Sequence, residues 1–101
     1  MQLVKRIEIF ANYVELGKIL EALDKAGVPG HTVIKDVAGK GSRGVGDDLA
    51  MTMLDNVYII AFFPPEKLPL VEVNVRQILN KFGGTGFISD AIELETTKCV
   101  G

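Results

Sequence analysis

The chain has 101 residues, of which 48% are hydrophobic and 24% are charged, and it carries a formal net charge of −2. This length and composition are typical of one globular domain with an ordinary core and leave no room for a second domain. The slight acidic excess argues against a protein that binds a nucleic-acid backbone or an anionic membrane surface. Any positively charged binding site is therefore expected to occupy only a small part of the surface.

The cysteine content and the N-terminal sequence predict where the protein resides. Cys99 is the single cysteine, which excludes an intrachain disulfide, and metal-ligand spacings such as C-x-x-C are absent. The first residues, MQLVKRIEIF, alternate charged and apolar side chains, so they predict neither a signal peptide nor a transmembrane helix. We expect a cytoplasmic protein in a reducing compartment, without direct membrane insertion.

The first predicted element is a β-strand over residues 3–10. Its sequence, LVKRIEIF, places Ile7 and Ile9 on one side and Arg6 and Glu8 on the other, which is the two-residue period of a half-buried strand. One face of this strand is therefore expected to contribute to the core.

A helix is predicted next, over about residues 13–26. Asn12 and Glu15 have the spacing of a capping box, and apolar residues then recur at helical spacing until Gly27. These apolar residues are Leu16, Ile19, Leu20 and Leu23. A Pro-Gly turn follows, and the β-branched run HTVIKDV at 31–37 predicts a second strand.

The second half of the chain repeats the order of strand, helix and strand. Residues 56–63, NVYIIAFF, form an apolar run with high β-propensity that two prolines end. The segment 66–82 repeats apolar residues on one helical face, and Pro69 is tolerated because it lies near the first turn. Residues 86–94 predict a last strand, and we expect the polar tail at 95–101 to be loosely held.

The predicted order is β-α-β-β-α-β, in one domain over residues 1–101 with no internal linker. Two split βαβ units of this kind form an α+β, ferredoxin-like sandwich, in which both helices cover one face of an antiparallel sheet. The third strand is apolar on both of its faces, so its uncovered face also needs burial. A symmetric oligomer is the favoured cover, and the chain's own loop or tail is the alternative.

Two glycine clusters indicate a ligand site. The segment AGKGSRGVGDD, residues 38–48, allows close approach of peptide N–H groups to a ligand, and Lys40 and Arg43 add positive charge, so it suggests phosphate binding. A second cluster, KFGGTG, lies where a helix is predicted to end, and a helix C-cap followed by a turn is sufficient to account for its glycines. Side by side, above all across a subunit contact, the two clusters can form a nucleotide cleft.

The candidate catalytic residues are few. The chain has one histidine, His31, one cysteine and few clustered carboxylates, and it has neither a P-loop nor a dinucleotide-binding G-x-G-x-x-G motif after a parallel strand. We therefore expect a binding protein, not an enzyme, with no metal site. Two other classes share the predicted element order. An RNA-recognition module would need a basic K/R-G-[FY] opening to its third strand, and an acylphosphatase would need an arginine after its first strand; both are missing.

Several features together resemble one known family. GVPGHTV runs into VAGKGSR, and a variable loop, an apolar third strand and a glycine-containing turn follow. This arrangement spans nearly the whole chain and is similar to the PII signalling superfamily. GKGSR at 39–43 resembles the bicarbonate-transporter regulators and carboxysome-associated members more than nitrogen-regulatory PII. The resemblance implies a homotrimer that binds adenine nucleotides between subunits and engages a transporter or enzyme through a loop at 38–54.

Position by position, the resemblance implies a nucleotide site assembled from three parts of the chain. Thr32 and Phe62 are expected beside the adenine base. A first glycine segment is expected on the phosphate side of the nucleotide, and a glycine turn is expected to face that segment across the cleft. The residues of the two glycine segments are Gly39, Lys40, Gly41, Ser42, Arg43, Gly83, Gly84, Thr85 and Gly86. The turn has no lysine, and Asn56 stands where nitrogen-regulatory members place a phosphate-contacting lysine. AMP, ADP, cyclic AMP and ATP are therefore all candidate ligands.

The resulting hypothesis is a cytoplasmic, trimeric, PII-like regulator that binds no nucleic acid. Residues 38–54 carry the nucleotide state to a partner, a bicarbonate transporter or a related target in carbon metabolism, and such a transporter can recruit the protein to the inner membrane. The alternative is a PII-like scaffold that binds no nucleotide and acts through a partner, an anion or a metal.

Overall fold

The computed structural model describes residues 1–38 and 55–97. Two helices pack against one face of a four-stranded antiparallel sheet, and the strand order across the sheet is β2-β3-β1-β4. The elements are β1 (Gln2–Asn12), α1 (Leu16–Lys25), β2 (Thr32–Val37), β3 (Asn56–Phe63), α2 (Leu68–Phe82) and β4 (Thr85–Glu93). This order and topology confirm the predicted ferredoxin-like α+β sandwich.

The core lies between the helices and one face of the sheet. Along β1, Ile7, Ile9 and Ala11 point to the helices and are buried, while the residues between them point to the other face. β1 is central, because it pairs with both β3 and β4. The largest fully buried side chains are Phe63, Ile9, Ile19, Leu23, Ile59, Val57 and Val71.

The start of the first helix differs from the sequence prediction. A separate 3-10 turn spans Tyr13–Glu15, and α1 begins only after it. The Asn12 side chain caps this turn as predicted, by accepting a hydrogen bond of 3.0 Å from the backbone N–H of Val14. The Glu15 carboxylate lies 3.4 Å from Lys18 Nζ, so its described partner is a side chain of the next turn. The cap by Asn12 was therefore predicted correctly, whereas the described contact of Glu15 is not the reciprocal one of a capping box, and the first turn is tighter than an α-helix.

The second helix begins in a similar way. A 3-10 turn over Pro65–Lys67 leads into α2, and Pro69 lies in the first turn of that helix, as the sequence required. Val71 and Val75 are buried against the sheet. Proline is tolerated there because the first N–H groups of a helix have no partner within it.

The edge strand β2 is irregular where it approaches the predicted loop. Its pairing with β3 shifts between Ile34 and Val37, and Asp36 has a φ of 58°. The loop predicted at 38–54 lies outside the described residues except for Ala38, and the tail predicted at 95–101 is described up to residue 97. Within the described part of the chain, no helix is long and apolar enough to cross a membrane.

Candidate ligand and assembly site

The sheet face opposite the helices carries a cluster of aromatic side chains. The ring centroids of Phe10 and Tyr58 are 5.0 Å apart, and those of Phe10 and Phe87 are 6.5 Å apart. Phe62 is 46% exposed and Phe87 is 59% exposed. β3 therefore presents apolar side chains to both faces, as its sequence predicted. We call this surface the open face, and its defining residues are Arg6, Glu8, Phe10, Tyr58, Phe62 and Phe87.

A row of polar groups crosses the centre of the open face. The Tyr58 hydroxyl donates a hydrogen bond of 2.8 Å to Glu8 Oε2. Arg6 Nε donates one of 3.1 Å to Ser89 Oγ and lies 3.6 Å from Glu8 Oε1. Sequence reasoning missed this row. The alternation in β1 placed Arg6 and Glu8 away from the core, but their partners come from β3 and β4, which only the strand order brings alongside.

The polar row across the open face changes the acidity of the Tyr58 phenol. The hydrogen bond to the Glu8 carboxylate, together with partial burial and the negative charge of Glu8, raises the pKa of Tyr58, and Arg6 opposes part of this effect. The neutral phenol is thus favoured in the folded protein. Because the folded-state pKa lies above the unfolded value of about 10, the hydrogen bond contributes to stability below that pH. This contribution is lost as the pH rises through the raised pKa.

A titration of the tyrosines is expected to show this effect. The chain has two tyrosines, so Tyr13→Phe leaves Tyr58 as the only phenol. In that background we expect Glu8→Gln to lower the pKa of Tyr58 towards its ordinary value, because the neutral amide removes the charge and weakens the hydrogen bond. Ultraviolet absorbance of the phenolate measures both curves. Identical curves for the two proteins would contradict the hydrogen bond.

The two residues expected beside adenine lie on neighbouring strands of the same face. Thr32 pairs with Ile60 of β3, and Phe62 follows two residues later on that strand. Phe62 and Pro29 line an apolar cavity of about 530 Å³, whose remaining wall comes mainly from the first residues of β1 and the last residues of β4. The structure therefore places Phe62 at an apolar cavity, with Thr32 on the next strand.

The glycine turn at 83–86 is built into the fold. Gly83 ends α2 with a φ of 92°, and its N–H donates a hydrogen bond of 2.8 Å to the Leu79 carbonyl. Gly84 has a φ of 122° and lies so close to β1 that a Cβ there would stand 2.9 Å from the Phe10 carbonyl oxygen. The helix end and this close approach are sufficient reasons for two of the predicted glycines.

The predicted parts of the nucleotide site are separated within one copy of the chain. Thr32 begins β2 and Thr85 begins β4, which are the two opposite edges of the sheet, three strand spacings or about 14 Å apart. The apolar cavity lies near Val4, whereas the glycine turn lies beside Phe10, about 20 Å further along the strand. The phosphate-side residues 39–43 lie outside the described residues.

The described residues offer little other chemistry. His31 is exposed and immediately precedes β2. In residues 1–38 and 55–97, no three histidine, cysteine, aspartate or glutamate side chains are grouped so that they could hold a metal ion. Cys99 lies outside the described residues.

The fold and this surface define the class of the protein as a ferredoxin-like α+β domain with an exposed apolar sheet face. Residues 4–98 match the family model of the nitrogen regulatory protein P-II, and the chain belongs to that family. Proteins of this family are signalling regulators, so the chain is a regulator and not an enzyme. No curated protein sequence matches it.

Solved structures of PII-like proteins are similar to the chain over most of its length. CPII from Thiomonas intermedia K12, bound to ADP, AMP and bicarbonate, is 26% identical with a TM-score of 0.73, over 90% of this chain and 97% of that chain. CPII bound to ADP, AMP and acetate is 25% identical with a TM-score of 0.77, over 93% and 91%. A PII-like signalling protein from Thermus thermophilus, 19% identical with a TM-score of 0.60 over 90% and 91%, supports the fold alone.

Proposed function

We propose that the protein is a cytoplasmic, homotrimeric PII-like regulator that binds an adenine nucleotide in the clefts between its subunits. The occupied or empty state of the cleft acts on residues 38–54, which engage a partner. The observation that carries this proposal is membership in the P-II family over residues 4–98. The ADP and AMP bound to CPII support the choice of ligand.

The geometry of one chain supports a site between subunits. Thr32 and the glycine turn at 83–86 lie at opposite edges of the sheet, so one copy cannot bring them together. In a closed assembly, an edge of one copy can face the opposite edge of the next. The apolar cavity at Phe62 then receives the base, and residues 39–43 with the glycine turn hold the phosphates.

The signal passes through the loop as a shift between its conformations. Residues 39–46 contain four glycines, and ordering such a segment has a high entropic cost. A nucleotide that contacts Ser42 and Arg43 favours one loop conformation only by its stronger binding to that conformation. The partner then recognises the favoured conformation, and no covalent chemistry is needed.

Carbon metabolism is the proposed setting, and the partner is a bicarbonate transporter or a related target. The segment GKGSR at 39–43 supports this assignment by its resemblance to the bicarbonate-transporter regulators. The bicarbonate bound with ADP and AMP in CPII also supports it. Through such a partner the regulator is recruited to the inner membrane without inserting into it.

The first test is isothermal titration calorimetry of the full chain with ATP, ADP, AMP and cyclic AMP, with and without bicarbonate. We expect one nucleotide per subunit. Arg43→Ala is expected to weaken binding about tenfold or more, because a hydrogen bond to a charged phosphate contributes about 1.5 kcal/mol or more. Arg76→Ala is the matched control, since Arg76 pairs with Glu72 on the outside of α2, and it should bind like the wild type.

Two results would contradict the proposal in different ways. Binding that is equally strong in the wild type and in Arg43→Ala would remove residues 39–43 from the phosphate side. If none of the four nucleotides bound, the proposed nucleotide-sensing role would be wrong. The protein would instead be a scaffold that acts through a partner or a small anion.

A further inference from the structure

One pair of opposite charges lies in the middle of the open face, beside its aromatic side chains. Arg6 and Glu8 are two residues apart on the central strand β1 and point to the same face, where their side chains are 38% and 31% exposed. Their direct cross-strand neighbours on β3 are Phe62 and Ile60. Phe10 and the rings around it continue the apolar surface beyond Glu8.

These charges restrict what can cover the open face. A purely apolar cover would remove both groups from water, and the desolvation of a charge pair can exceed the attraction within it. A suitable cover must therefore supply new partners of both signs at this place. A second copy of the same face does so, because it brings one guanidinium and one carboxylate.

Both groups have capacity for such partners. The described contacts of Arg6 use only Nε, whereas a guanidinium has five N–H donors. Glu8 accepts from Tyr58 at Oε2 and faces Arg6 at Oε1, and a carboxylate has about four acceptor positions. In a ring of copies, each subunit can give its arginine to one neighbour and its carboxylate to the other.

We propose that Arg6 of one copy pairs with Glu8 of the next across the open faces, and that this exchange sets the register and the self-selectivity of the assembly. The inference rests on the homotrimer of the proposed function and identifies the residues that specify it. A partner with an apolar surface but without matching charges is rejected, because it leaves a charged group buried and unpaired.

Charge reversal tests the exchange. Arg6→Glu presents two acids on the open face, and Glu8→Arg presents two bases. Each variant alone is expected to dissociate towards the 10.9 kDa monomer, with a dissociation constant raised about 30-fold or more. In a trimer that contains both variants, two of the three contacts between residues 6 and 8 join opposite charges and one joins like charges, so an equimolar mixture should form more trimer than either variant alone, in assemblies that contain both chains. Sedimentation velocity measures the mass, and mass spectrometry of isotopically labelled chains measures the composition.

The chain offers a matched control. Arg76 and Glu72 form a pair on the outer face of α2, so Arg76→Glu and Glu72→Arg change the net charge equally without touching the open face. Both variants should keep the wild-type mass. Circular dichroism confirms that each variant is folded. If the reversals unfold the chain, Glu8→Gln keeps the side-chain shape and is expected to raise the dissociation constant about tenfold.

The outcomes separate this inference from the proposed function. If the reversed variants assemble like the wild type, or if folded single variants dissociate and their mixture forms no more trimer than either variant alone, the exchange is wrong while the homotrimer stands. If Glu8→Gln leaves the dissociation constant unchanged, the exchange is also wrong. If the wild type itself is monomeric, the exchange, the homotrimer and the nucleotide cleft between subunits are all wrong.

Discussion

Leu23→Ala is expected to lower the free energy of unfolding by about 2 to 5 kcal/mol. Leu23 lies on the inner side of α1 and is 1% exposed in the core between the helices and the sheet. Alanine is a good helix former, so the helix itself is not weakened. The loss in stability therefore has two causes: the variant no longer gains the free energy of burying the removed side-chain atoms, and a cavity remains where they were.

Leu70→Ala provides the comparison for this result. Leu70 is on α2 and is 50% exposed, so the same change there is expected to cost less than about 1 kcal/mol. Urea unfolding at one fixed chain concentration measures both variants, because subunit association also contributes to stability. Similar losses for the two leucines would show that the assigned inner face of α1 is wrong.

The periodicity that identified Leu23 also predicted most of the fold. Leu16, Ile19 and Leu20 recur with it at helical spacing, and in the structure they are buried or packed against the core. The bounds of β3 were predicted as they are found, because two prolines end an unbroken apolar run. Local patterns of this kind depend on burial alone, so a single sequence displays them.

Features that depend on backbone geometry were not predictable in the same way. Asp36 adopts a φ of 58° where the pairing of β2 shifts, and aspartate visits this region more readily than most residues. The aspartate in HTVIKDV permits this conformation, but the β-branched run around it predicts a regular strand, so the sequence does not show that the backbone departs from one there. The 3-10 turns before α1 and α2 likewise have the same residue pattern as the first turn of an α-helix.

The residues of the candidate site were named from the family resemblance and their ligand contacts stay a prediction, whereas their arrangement in the fold could not be predicted from the sequence. Phe62 and Thr32 share the open face, as their common expected role beside the base requires. The distance between them and the glycine turn follows from the strand order, in which β2 and β4 are opposite edges. Long-range pairing also creates the contact between Tyr58 and Glu8, which are 50 residues apart in the chain.

The open face connects the fold to the regulation proposed here. Its exposed aromatic rings favour burial, and burial by copies of the same chain brings the edges β2 and β4 of different copies towards each other. A cleft made in this way exists only in the assembly. Loss of the assembly is therefore expected to abolish nucleotide binding as well, even though Arg6 and Glu8 are not in the predicted nucleotide site.

Gly84→Ala is expected to destabilise the fold by about 2 to 6 kcal/mol, since backbone strain and steric overlap each cost about 1 to 3 kcal/mol. Gly84 has a φ of 122°, and its Cβ would meet the Phe10 carbonyl oxygen at 2.9 Å and Leu79 Cδ2 at 3.0 Å. The carbonyl is part of the sheet backbone, so it cannot move aside as a flexible side chain can.

Two further glycines separate the causes. Gly83 has a φ of 92° and nothing within 4 Å of its Cβ position, so Gly83→Ala should cost only the strain, about 1 to 3 kcal/mol. Gly17 is on α1 with nothing within 4 Å, and Gly17→Ala should stabilise the helix by up to about 1 kcal/mol. Thermal unfolding of the three variants and the wild type measures the order of their stabilities.

The expected order places the largest loss at Gly84, a smaller loss at Gly83 and a gain at Gly17. This order would mean that packing against β1 and the end of α2 suffices to explain glycine at 83 and 84. Nucleotide contact by the turn must then be judged from binding measurements on folded variants such as Gly83→Ala. If Gly84→Ala unfolded like the wild type, the close approach to β1 would be wrong, and the need for glycine there would have to come from a ligand.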